Sequence, residues 1–167
     1  MGTLGKLMAK QKDDLTVVGV VPGKPVDVYP ELLDFERWPA WFSGVASVEV
    51  LERKSEGVGT RLRVRFDDGH HAEFTLSYAV EPSVFSLSLV TGAQNRLGGI
   101  ATLLFDVALN HHPRDHPESR ETEVRIRAMW SFPKEVKLSM FQRWPARTLR
   151  RSFAQALSNL AAKRRGA

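Results

Sequence analysis

The residues best suited to chemistry gather in one short stretch. Asn110-His111-His112-Pro113-Arg114-Asp115-His116-Pro117 holds three of the chain's five histidines beside an aspartate. Imidazole nitrogens and carboxylate oxygens are competent metal ligands, but this spacing matches no established zinc motif, and the two prolines read as an exposed hairpin loop. No metal is expected at His111, His112 or His116. His70 and His71 stand at a turn beside Asp68 and Gly69, where solvent is the ordinary surrounding. Tyr78 is the remaining candidate: strict alternation puts its phenol on the apolar face of a strand, where it would donate a proton or hold a carbonyl. The chain has no cysteine, so a thiolate zinc site, a cysteine nucleophile and a disulfide framework are all excluded. The Gly-x-Gly-x-x-Gly, P-loop, Gly-x-Ser-x-Gly and His-Glu-x-x-His patterns are absent, which leaves nucleotide and hydrolase chemistry without support and no cofactor expected.

The elements that must position these groups follow from the hydrophobic period. Leu15 to Val21 is a β-rich apolar run closed by Pro22-Gly23. Pro25 fits the first turn of a short helix through Leu33, because its missing N–H is not needed there. Trp38-Pro39-Ala40-Trp41-Phe42 reads as a second helical turn. From Val45 the period becomes two, with strands predicted over Val45 to Arg53, Thr60 to Phe66, His71 to Val80, Phe85 to Val90, Ile100 to Leu109 and Thr122 to Trp130. Glu56-Gly57, Asp67-Asp68-Gly69, Glu81-Pro82-Ser83 and Gly98-Gly99 supply the turns. After Phe132-Pro133 the period returns to about 3.6. Leu138, Leu149, Phe153, Ala156, Leu157 and Leu160 fall on one side of a long amphipathic helix, with Arg143, Arg147, Arg150 and Arg151 opposite. Pro145 predicts a kink or break near Arg143-Trp144.

Alternation separates the two faces of each strand. The inward rows are Leu62, Val64, Phe66; Ala72, Phe74, Leu76, Tyr78, Val80; Phe85, Leu87, Leu89; Ala101, Leu103, Phe105, Val107; and Val124, Ile126, Ala128, Trp130. The outward rows, among them Arg61, Arg63, Arg65, Glu73, Ser86, Asp106, Glu123, Arg125 and Arg127, are charged or polar and suited to pairing across the sheet. A pocket lined by apolar and aromatic groups with a few polar anchors is the usual form of a small-molecule site. The same side chains would equally fill a solid core; as a pocket, its walls are Phe74, Leu76, Tyr78, Phe85, Leu87, Leu103, Phe105, Ile126 and Trp130 from the sheet, Trp41 from the second helical turn, and Phe141, Leu149 and Phe153 from the helix. Tyr78 and Trp130 are its polar handles. Trp38, Trp41 and Phe42 form an aromatic cluster between the second helical turn and the next strand, and Gly92, Gly98 and Gly99 give the loop Thr91 to Gly99 backbone freedom.

The order strand, two short helices, six strands, long helix resembles the helix-grip fold of the START-like superfamily, which includes the birch-pollen allergen, polyketide cyclases and coenzyme Q-binding proteins. The likeness is to the polyketide cyclase/dehydrase and lipid-transport-like members. At residue level it is carried by Pro25-Val26-Asp27-Val28-Tyr29, by Leu33-Asp34-Phe35-Glu36-Arg37-Trp38-Pro39-Ala40-Trp41, and by Val45 through Glu52 with Gly59 beyond. The resemblance implies an α+β fold: a seven-stranded curved antiparallel sheet wrapped around the C-terminal helix, with an apolar cavity between them. It also implies that Trp38, Trp41 and Phe42 border the cavity mouth, where they would form a gate with the loop Thr91 to Gly99. One fold hosts many activities.

With 167 residues, 43% hydrophobic and 26% charged, the chain is expected to form a single helix-grip domain over 1–167, with 1–12 a flexible segment. Met1 to Gln11 lacks the continuous apolar stretch of a signal peptide or membrane span, so a cytoplasmic protein is expected. The expected function is to bind or transport a hydrophobic small molecule such as a lipid, an isoprenoid quinone or a polyketide-like aromatic. An alternative is a polyketide cyclase or dehydratase using Tyr78. Another is a basic regulator acting on ribosomes or RNA, as the resemblance to the coenzyme Q-binding branch implies and the net charge of +5 would suit. The Arg143, Arg147, Arg150 and Arg151 stripe is a candidate contact with an anionic membrane surface; nucleic acid is not the expected partner.

Overall fold

The computed structural model describes residues 12–90, 102–131 and 144–166. Seven strands form one antiparallel sheet: β1 (Lys12–Pro22), β2 (Val45–Glu52), β3 (Arg61–Phe66), β4 (His71–Val80), β5 (Val84–Leu89), β6 (Thr102–His111) and β7 (Glu121–Ser131). Their order is β1-β7-β6-β5-β4-β3-β2. The first two strands of the chain therefore become the two edges. The segment between them carries a short helix, α1 (Pro25–Leu32), and a 3-10 turn, η1 (Phe35–Ala40). Pro25 sits at the start of α1, where no amide donor is required. The final helix, α2, spans Trp144–Arg165, with Pro145 in its first turn. The expected kink borders residues outside those described, and Leu138, Phe141 and Arg143 lie there too.

This is the expected helix-grip arrangement, with strand ends shifted by up to three residues. Alternation accounts for most of it. On β1, Leu15, Val17 and Val21 are buried while Asp14, Thr16, Val18 and Val20 are exposed. Register shifts in β2 at Val45/Ser47 and Val50/Glu52, and in β4 at Leu76/Tyr78, interrupt the pleat and add the local bend that a sheet needs to curve around a helix. Gly19 occupies the inward row of β1. A Cβ there would stand 3.0 Å from Leu157 Cβ, so the missing side chain lets α2 make its close approach at this edge strand. Among the described residues no helix is long and apolar enough to cross a membrane.

Candidate ligand site

The inward rows build an apolar concave wall. Leu62, Val64, Ala72, Phe74, Leu76, Phe85, Leu87, Leu103, Ile126 and Trp130 are all buried, as are Trp41 and Phe153. Leu149 is partly buried against them. Register places Leu103 opposite Trp130, Phe105 opposite Ala128 and Leu87, and Leu76 opposite Leu87. Across this wall the aromatic rings touch in sequence: Phe74 to Phe105 at 5.6 Å, Phe105 to Phe153 at 5.5 Å and edge-on, Phe153 to Phe42 at 5.9 Å, Phe42 to Trp41 at 5.7 Å. Such edge-on and tilted contacts add attraction beyond area burial. They also carry the wall from the sheet through α2 to the segment after η1.

Tyr78 is not part of this wall. The ladder slips between Leu76 and Tyr78, so that Tyr78 pairs with Ser86 and Ala79 with Phe85. One extra residue reverses every side chain beyond it. Tyr78 is 53% and Val80 45% exposed, and Ala79 takes the inward position. The phenol in the described interior is Tyr29 of α1, 2% exposed, whose ring meets Phe85 edge-on at 5.9 Å and whose hydroxyl donates to the Val84 carbonyl at 3.4 Å. Burial, with a smaller effect from the Glu81 charge, pushes its pKa up, so it stays a neutral donor. The helical spacing Pro25, Val28, Tyr29, Leu32, all buried, was the available sequence signal for it.

Trp38, Trp41 and Trp130 differ in one respect. Trp38 Nε1 donates to the Leu32 carbonyl at 2.9 Å. Trp41 Nε1 and Trp130 Nε1 are buried with no hydrogen-bond partner among the described residues. Trp38 and Trp41 are both buried, whereas Phe42 is partly so; the loop Thr91 to Gly99 expected to gate with them lies outside the described residues.

The family model for polyketide cyclase/dehydrase and lipid transport matches residues 21–157. The chain belongs to this family. Solved structures agree on the fold. A START superfamily protein from Mycobacterium smegmatis is 17% identical, with 90% of this chain and 97% of that one aligned at a TM-score of 0.67. Ara h 8.0201 is 10% identical, with 93% and 99% aligned at 0.70. The protein XoxI from Bacillus cereus is 14% identical, with 90% and 94% aligned at 0.67. A search of curated proteins gave no match. The polyketide cyclase/dehydrase and lipid transport family, taken with the START-like fold, makes this a domain of the hydrophobic-ligand-binding type.

Outside the wall, this family member is polar. On the convex face Glu73 accepts from Arg63 and Arg61, each at 2.9 Å; the Arg63 bond, with Arg61 behind it, outweighs burial and holds the Glu73 carboxyl below the usual range. Ser86 donates to Asp106 at 2.6 Å on the same face, so Asp106 is turned away from the interior. His111 ends β6 with its Nδ1 buried, His112 is partly buried, Asp115 and His116 are exposed in the loop that follows, and no cluster able to hold a metal occurs among the described residues. Arg147, Arg150 and Arg151 are exposed. Clefts of about 450 Å³ beside Gly23, Lys24, Arg120 and Arg164, and about 290 Å³ beside Ser47, Arg63 and His71, are polar and lie away from the aromatic wall.

Proposed function

We propose that the chain binds a hydrophobic small molecule between the concave sheet face and α2, as a carrier rather than a catalyst. The observation that supports this most directly is the state of Phe105. It stands in the inward row of β6 between Leu103 and Val107, which are 5% and 7% exposed, yet it is itself only partly buried. A mid-row side chain that keeps exposure while its neighbours are closed off supports a ligand space on this face, because close-packed interiors leave few voids of water size. Among the described residues the titratable side chains at the wall stand at its margin, His111 at the end of the inward row of β6 and Tyr29 of α1 with its hydroxyl engaged by the Val84 carbonyl, while Tyr78, the acid a cyclase would have used, faces outward. Acid–base catalysis needs such a group within hydrogen-bond reach of the reacting atom.

Native mass spectrometry of the chain purified from its own host tests this reading, with saturable Nile red fluorescence as the second measurement. An apolar adduct, or Nile red displaced by added lipid or quinone, is expected. A bare chain that also fails to bind Nile red overturns the reading.

A further inference from the structure

We infer that the ligand is neutral and presents carbonyl oxygens, which are read by the indole N–H groups of Trp130 and Trp41. The inference rests on the binding reading above and adds the chemistry of the ligand. Trp130 is 2% and Trp41 4% exposed, and among the described residues neither Nε1 has a hydrogen-bond partner. A buried N–H without an acceptor costs about 1–3 kcal/mol, and native interiors hold few of them. Phenylalanine would fill much of the same volume without that cost. Trp38 shows the normal outcome in the same short segment, its N–H closed on a backbone carbonyl at 2.9 Å. The two unclosed indoles also flank one set of rings. Trp130 is opposite Leu103, two residues along the row from Phe105; from Phe105 the contacts run through Phe153 and Phe42 to Trp41.

The donors also define what they can accept. An indole N–H donates only, so the ligand must supply an acceptor. A carbonyl does so with no proton of its own to place, whereas a buried alcohol would need a further acceptor. The buried polar side chains Thr60, Ser86 and Thr122 are already engaged, by the Lys54 amide, Asp106 and the Gly23 carbonyl. Among the described residues no cation faces the wall, so a carboxylate or phosphate buried there would lose its hydration without a countercharge. Ketones, quinones and esters fit; hydrocarbons and fatty acids fit less well.

Three probes of one skeleton separate these possibilities: menadione, 2-methylnaphthalene and 2-naphthoate, titrated by calorimetry. Menadione is usable because the chain has no cysteine for it to alkylate. It is expected to bind at least about tenfold more tightly than the hydrocarbon, the equivalent of about 1.4 kcal/mol, with naphthoate weakest. Trp130→Phe and Trp41→Phe should each remove several-fold of the menadione advantage while leaving 2-methylnaphthalene unchanged. Indole N–H resonances of the unmodified protein give a readout independent of any variant: two of the four tryptophans should shift with menadione and not with the hydrocarbon. Equal affinity for menadione and 2-methylnaphthalene, or preference for naphthoate, overturns the carbonyl assignment and leaves the binding reading standing. No binding of any of the three, together with no Nile red binding, overturns both.

Discussion

The two halves of α2 are held by different physics. From Ala156 onward the helix is seated and tied. Leu157 fills the notch over Gly19, Leu160 is fully buried, and the Asn159 amide donates to the Trp41 carbonyl at 3.1 Å and to Ser43 Oγ at 3.0 Å. Lys163 Nζ reaches Glu31 at 3.1 Å, and Arg164 donates to both Glu31 and the Pro22 carbonyl. Toward the helix start, Leu149 and Phe153 face the wall, Leu149 only partly buried, while Arg147, Thr148, Arg150 and Arg151 are exposed. Directional bonds thus fix the end that meets α1, and non-directional ring contacts hold the other. Apolar contacts exchange for ligand contacts at little free-energy cost, whereas buried hydrogen bonds do not. The difference assigns anchoring to the half of the helix from Ala156 onward and leaves the other half as the one free to exchange its contacts in the binding proposed above.

The strongest way to break this comparison is to truncate one leucine in each half. Leu160, 0% exposed, should cost about 3–5 kcal/mol on replacement by alanine, because transfer and cavity terms add at a closed site. Leu149→Ala, at a partly open position, should cost about 1 kcal/mol or less. Urea unfolding of the two variants measures the contrast, and equal losses would remove the distinction between the halves.

Gly19 sharpens it next. A valine side chain at this position would bring a carbon to 3.0 Å from both Leu157 Cβ and Cδ1, and overpacking of this kind costs about 1–3 kcal/mol. Valine is otherwise the better strand former, so a loss identifies the clash rather than propensity. Leu157→Ala removes the Cδ1 half of this clash and should therefore cost less in the Gly19→Val background than in the parent, a coupling different from zero. A Gly19→Val variant as stable as the parent would show that α2 does not rest on β1 in the way described.

How much of this could be read in advance varies with the kind of interaction. The fold was legible because the hydrophobic period changes twice, at Val45 and again after Phe132-Pro133, and period is local information. Gly19 was legible in principle as an isolated glycine within the apolar run Leu15 to Val21, the mark of a close backbone approach. Tyr78 was misplaced because alternation was counted straight through Ser77, where the ladder slips and where neither glycine nor proline marks a bulge. The fates of the tryptophan donors were not legible at all. Trp38 and Trp41 are three residues apart, and whether each finds a carbonyl depends on the path of the backbone around them. The clamp from Glu31 to Arg164 spans 133 positions, a separation over which no spacing rule operates.

Glu31 supplies the smallest of the expected effects and the most specific. Burial alone would raise its carboxyl pKa, but hydrogen bonds from Lys163 and Arg164, reinforced by their charges, leave it below the usual glutamate range. The unfolded chain therefore takes up this proton more readily than the folded one, and the stabilising contribution is complete above the ordinary carboxylate pKa and lost as pH falls through the lowered folded value. Glu31→Gln should cost about 1–2 kcal/mol at neutral pH, in keeping with a partly buried hydrogen bond to a charged group. The gap between the parent and Glu31→Gln should close on acidification. Glu73 is held low in the same way, but it titrates in both proteins, so their difference isolates Glu31. Hydrogen exchange locates the effect: amide protection should fall in the last turns of α2, around Asn159 to Arg164, while that of the turn at Phe153 changes little. A pH-independent gap, or protection lost equally along the helix, would mean that the carboxylate does not act as a local anchor.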